Sequence, residues 1–102
     1  SYPPYYFTVQ VLVSHQDEEV AIQKSYEIAQ LLKQNLTEKA KILGPTARPI
    51  ARTHNLYHYQ ILVKYRFEEE LESALNQVLE LTQLRDNKNL RVLIDSEPQN
   101  FV

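Results

Sequence analysis

The chain contains no cysteine, no methionine and no tryptophan, and only one glycine in 102 residues. Without cysteine there is no disulfide and no thiolate metal site, and nothing points to an oxidising compartment. With Gly44 as the single glycine, a Gly-rich phosphate-binding loop is excluded, and with it nucleotide hydrolysis by this segment. No stretch approaches the ~20 apolar residues of a membrane span, and no signal-peptide pattern opens the chain. The Asn35-Leu36-Thr37 sequon is then an accident of composition. The missing methionine and the opening Ser1-Tyr2-Pro3-Pro4 read as a piece of a longer protein, residues 1–4 being the remnant of a linker.

What is present suffices for one domain over residues 1–102, with 43% hydrophobic residues. A domain of that size buries roughly two-thirds of the surface its unfolded chain exposes. The net charge of −2 conceals an uneven distribution. Lys39 to Arg66 holds six of the 11 basic residues and none of the 13 acidic ones, so it carries +6 and the remainder −8. Such asymmetry within one domain points to a polyanionic partner for the basic part.

Hydrophobic periodicity divides the chain into six elements. Tyr5 to Ser14 alternates, with Tyr5, Phe7, Val9, Val11 and Val13 on one side of a strand. Ser14 or Asp17 then caps a helix running to Leu36, with Ala21, Ser25, Ile28, Ala29, Leu32 and Leu36 on one face. A short strand around Ile42 and Leu43 is stopped by Gly44-Pro45. Residues 45–57, with Arg48, Pro49 and Arg52, read as a loop or a long hairpin arm. Tyr57 to Arg66 alternates most clearly, with Tyr57, Tyr59, Ile61, Val63 and Tyr65 opposite His58, Gln60, Leu62, Lys64 and Arg66. Glu68-Glu69-Glu70 opens a second helix striped by Leu71, Ala74, Leu75, Val78 and Thr82. After an Asp86–Asn89 turn, Leu90 to Asp95 forms a last strand, closed by Pro98.

The order β-α-β-β-α-β predicts an α+β, ferredoxin-like split sandwich: a four-stranded antiparallel sheet with two helices on one face. With the aromatic and aliphatic sides of strands one and three packed on the helices, the open face shows Tyr6, Gln10, His58, Gln60, Lys64 and Arg91.

No catalytic constellation is legible. His54 and His58 have the spacing of a helical zinc pair, but in a strand residues four apart stand roughly 13 Å from each other. Glu68, Glu69, Glu70 and Glu72 crowd a first helical turn, where the helix dipole alone favours acidic residues. Ser14, Ser25, Ser73 and Ser96 have no readable His and carboxylate beside them. The basic, aromatic segment carries the functional weight, since Lys and Arg neutralise phosphates and exposed rings stack on unpaired bases. Arg48, Arg52, Tyr57, His58, Lys64 and Arg66 would make a modest nucleic-acid surface. The same charges also fit an acidic peptide, and Tyr57, Tyr59 and Tyr65 also suit a core.

Four segments carry a family resemblance: Tyr2–Phe7 (YPPYYF), Leu43–Arg52 (LGPTARPIAR), Tyr57–Tyr65 (YHYQILVKY) and Leu93–Pro98 (LIDSEP). In this order and spacing they resemble the C-terminal domain of primosomal protein N′ (PriA), the bacterial replication-restart DNA helicase. The resemblance implies a fold like that of a ribosomal small-subunit protein, and a parent that is an ATP-dependent 3′→5′ helicase with its magnesium-ATP site and zinc region elsewhere. This fragment itself would be no enzyme and would hold no cofactor and no metal. The implied partners are forked or branched DNA, the acidic tail of single-stranded DNA-binding protein, the rest of the parent helicase and other primosome proteins. The implied location is the bacterial cytoplasm, at the nucleoid and not a membrane.

The DNA-binding residues the resemblance implies are Arg48, Arg52, Tyr57, His58, Gln60, Lys64 and Arg66. Position 58 is His where Arg is common in the family, so that phosphate contact would weaken above pH ~6.5. Glu68-Glu69-Glu70 stands where relatives can be basic, and would repel an acidic tail. Two roles remain open: a forked-DNA-binding accessory domain, or an interaction module with little DNA affinity and an apolar patch near Tyr6 and Leu12.

Overall fold

In the computed structural model, residues 7–53, 55–66, 69–82 and 89–98 are described. They form β1 (Phe7–His15), α1 (Glu18–Asn35), β2 (Lys41–Thr53), β3 (Leu56–Tyr65), α2 (Leu71–Thr82) and β4 (Arg91–Pro98). The sheet order is β2-β3-β1-β4, with every neighbouring pair antiparallel. This is the split sandwich expected from the periodicity.

The core follows from the pairing of β1 with β3. Val9 lies opposite Val63 and Val11 opposite Ile61, and Val9, Val11, Val13, Ile61 and Val63 are all fully buried. Ile28 and Leu32 of α1 and Ala74 and Val78 of α2 cover them. α1 crosses β1, β2 and β3, while α2 packs on α1 and β4. Each fully buried Val, Leu or Ile side chain contributes roughly 1.5–3 kcal/mol. At the end of this face Phe7 and Tyr65 pair as rings 5.5 Å apart.

Local chemistry sets the boundaries. Asp17, one of two candidate caps, begins α1: its Oδ1 accepts from the Glu19 backbone N–H at 3.0 Å, satisfying one of the free amides of the first turn. Ser14 belongs to β1. α1 closes where the Leu36 N–H donates to the Leu32 carbonyl at 2.9 Å. α2 starts at Leu71, the Glu70 carbonyl accepting from the Ala74 N–H at 2.9 Å. Tyr5 and Glu68, read from the sequence as element starts, Tyr6, expected on the open face, residues 86–88 of the expected turn, and the loop histidine His54 lie outside the described residues.

The second strand corrects the sequence reading. Gly44-Pro45 does not stop it; β2 runs for 13 residues, from Lys41 to Thr53. The ladder absorbs the interruption through irregularities between Leu43 and Thr46 and between Ala47 and Arg52. β2 is an edge strand, where a proline lacking its N–H is tolerated. Of the two readings of residues 45–57 the long hairpin arm holds, so Arg48 and Arg52 lie in β2 rather than on a loop. Asn55, at φ 64°, precedes the return of the chain into β3 at Leu56, as hairpin turns that need positive φ favour Asn.

Gly44 has φ +99°, and a Cβ there would stand 2.7 Å from the Gln60 carbonyl oxygen. Gly44→Ala is expected to cost about 1–3 kcal/mol in urea unfolding. Ile61→Ala should cost about 2–5 kcal/mol by cavity formation. Leu93→Ala, at a side chain 64% exposed on the other face, should change stability by less than about 0.5 kcal/mol.

Candidate nucleic-acid interface

Alternation along each strand places the residues between the core positions on the face without helices. Cross-strand registers arrange them in rows. Lys41 lies opposite Lys64, which lies opposite Thr8. Leu43, Leu62, Gln10 and Asp95 form the next row, then Thr46, Gln60, Leu12 and Leu93. His58, Ser14 and Arg91 form the last.

Polar side chains on this face hold one another. Gln60 Oε1 accepts two bonds, from Arg48 Nη1 at 2.9 Å and from Gln10 Nε2 at 3.2 Å. The half-buried Arg48 guanidinium is thus oriented before any ligand arrives. Ser14 Oγ and His58 Nδ1 stand 2.6 Å apart, a hydrogen bond across the β1–β3 pair. The β1–β3 register thus joins residues 44 apart in sequence, bringing a histidine to Ser14 that the sequence did not place there. Asp95 lies four strand positions from the partner of Ser14, about 13 Å, so no triad geometry results.

Apolar side chains lie between the polar groups. Leu43 is 45% and Leu93 64% exposed, and Leu62 and Leu12 connect them diagonally across β3 and β1. A shallow depression of about 510 Å³ beside Leu12, Leu56 and Leu93 has Ser14, His58 and Arg91 on its polar side.

Of the residues picked from the sequence, His58, Gln60 and Lys64 share this face, and Arg48 reaches it through Gln60. Arg66 is exposed just beyond β3. Arg52 pairs with Tyr57 in the ladder. Tyr57 does not join the others: opposite His15, it alternates with His58 onto the helix side, which removes it as a stacking platform on the open face. Lys41, Leu43 and Leu62 were missed as site residues. Leu62 between Gln60 and Lys64 was the available signal, an apolar residue on a side otherwise polar.

Tyr59 is committed on the helix side. Its hydroxyl donates to Glu18 Oε2 at 2.7 Å, and that bond, then burial, pushes the phenol up to about 12. The bond requires a protonated phenol, so its stabilisation is whole below pH 10.0, the ordinary value, and is lost as pH rises through about 12. An ultraviolet tyrosinate titration should show a late-ionising component that Tyr59→Phe removes and Glu18→Ala moves down toward 10.0.

Among the described residues, no three His, Asp or Glu gather as a metal site would need, and no helix is long and apolar enough to cross a membrane. The arrangement can bind an extended anionic surface on an open sheet backed by two helices.

Fold and face together define an open-faced α+β domain of the split-sandwich class. Solved structures share the fold at low identity. A de novo designed protein, Foldit4, is similar at TM-score 0.69 with 16% identity, covering 93% of this chain and 99% of that one. A hydantoinase/carbamoylase family amidase from Burkholderia ambifaria is similar at TM-score 0.60 with 7% identity, over 92% of this chain and 28% of that one. The chain belongs to the family described as the primosomal protein N C-terminal domain, whose model matches residues 1–99. It is 40% identical over 99 residues to the replication restart protein PriA of Bacillus subtilis (strain 168), covering 96% of this chain and 12% of that protein's length.

Proposed function

We propose that this domain is an accessory DNA-binding element of a replication-restart helicase, helping it to recognise forked or branched DNA through the open sheet face. The observation that carries the reading is the basic set on that face: Lys41 beside Lys64, Arg48 held by Gln60, and Arg91 opposite Ser14. Glu18, Glu19, Glu27 and Glu72 lie on the helices and Asp95 lies on the β4 side of the open face, so the field favours approach of a polyanion over the β2–β3 half of the sheet. The longer protein would supply ATP-dependent 3′→5′ unwinding with its magnesium and zinc sites, at the nucleoid in the cytoplasm.

A second reading has one observation in its favour. The exposed Leu43 and Leu93 at the ends of an apolar diagonal suit docking on the helicase core or another primosome protein. The acidic tail of single-stranded DNA-binding protein suits the cations, though Glu69 and Glu70, exposed before α2, would oppose its approach from that end.

NMR titration of the labelled chain with a short DNA fork at two salt concentrations tests the first reading. Shifts centred on Lys41, Arg48, His58, Gln60 and Lys64, shrinking as salt rises, are the expected result. Resonances unmoved at low salt would leave docking as the function.

A further inference from the structure

We propose that the open face engages the sugar–phosphate backbone of a DNA duplex rather than the bases of an unpaired strand. This deepens the DNA-binding reading above and rests on it.

The first argument concerns stacking. Four-stranded sheets that read single-stranded RNA do so with aromatic rings on which two or three bases stack. Single-strand binders without sequence preference use the same platform, at about 1–3 kcal/mol per base. Here the central strands present Gln10, Leu12 and Ser14 from β1 and His58, Gln60 and Leu62 from β3. Among the described residues no Phe or Tyr lies on this face. Tyr57, Tyr59 and Tyr65 alternate to the helix side, where Tyr59 holds Glu18 and Tyr65 packs on Phe7.

The second argument concerns the cations. Lys41 and Lys64 are direct cross-strand partners, and like charges so placed repel; an anion between them removes that repulsion. Gln60, on which Arg48 is anchored, is four β3 residues from Lys64, about 13 Å. The major groove of a duplex is about 12 Å wide. The lysine pair and Arg48 are therefore spaced to meet phosphates on either side of a groove. Leu43 and Leu62 lie between them, with no hydrogen bond to offer a phosphate and an apolar surface suited to deoxyribose.

Orientation and placement agree. With Nη1 on Gln60, Arg48 presents its remaining donors in a fixed plane, the geometry for a bidentate phosphate contact. Gln60 thus acts as a positioning residue for Arg48. Asp95 holds the β4 position opposite Gln10, an acidic residue that favours a duplex over the β2–β3 half of the sheet.

The experiment compares binding of the 102-residue chain to a labelled duplex and to a single strand of equal length, by fluorescence anisotropy across a salt series. Duplex is expected to bind at least tenfold more tightly at low salt. Lys41→Gln with Lys64→Gln should lower the magnitude of the duplex salt slope by about 0.9, the one phosphate held between them, with unchanged circular dichroism. Single strand bound as tightly as duplex, or a duplex slope unmoved in the folded double variant, overturns the proposal while leaving DNA binding in place. Binding of neither at the lowest salt overturns the DNA reading itself.

Discussion

β1 is paired on both sides, with β3 and with β4, and its register against β3 governs everything else in the domain. Because side chains alternate along a strand, that one register assigns Val9, Val11 and Val13 to the helices and Thr8, Gln10, Leu12 and Ser14 to the open side. A slip of one residue would bury Gln10 and Ser14 under α1 and α2 and expose the valines. The hydrophobic face therefore stabilises the fold and, by the same geometry, decides which side chains are left to meet a partner.

Two kinds of interaction then divide the labour. The helix side is closed by aliphatic packing, with its polar exceptions satisfied locally: Ser25 donates to the Ile22 carbonyl at 2.8 Å, and Tyr59 to Glu18. The open side is organised by hydrogen bonds between strands, with Gln60 bridging Gln10 and Arg48, and Ser14 meeting His58. These bonds add little net stability each, about 0.5–1.5 kcal/mol. Their consequence is orientation, since they hold an arginine and an imidazole in place on a surface where free side chains would sample many rotamers.

β2 shows how the edge of the sheet extends the face. An ordinary strand stopped at Gly44-Pro45 would leave Arg48 on an irregular loop. The positive φ of Gly44 and the ladder irregularity that follows carry β2 onward beside β3. Arg48 is thereby brought within reach of Gln60, 12 residues away in sequence. The single glycine of the chain serves the candidate site as much as the fold.

Much of this was legible in the residues alone. The alternation of Phe7 to Val13 and of Tyr57 to Tyr65, the 3.6-residue stripe from Ala21 to Leu36 and the capping Asp17 are local signals, and local backbone geometry converts them directly into strands and helices. So the six elements, their order and the core faces were determined by the sequence, as was the acid-free basic segment from Lys39 to Arg66. Partnership across strands was not. The passage of β2 through Gly44-Pro45, the meeting of Ser14 with His58, the anchoring of Arg48 and the lateral joining of Leu43, Leu62, Leu12 and Leu93 each depend on register between distant segments. Periodicity says which side of a strand a residue occupies; only the paired sheet says which residues stand beside it.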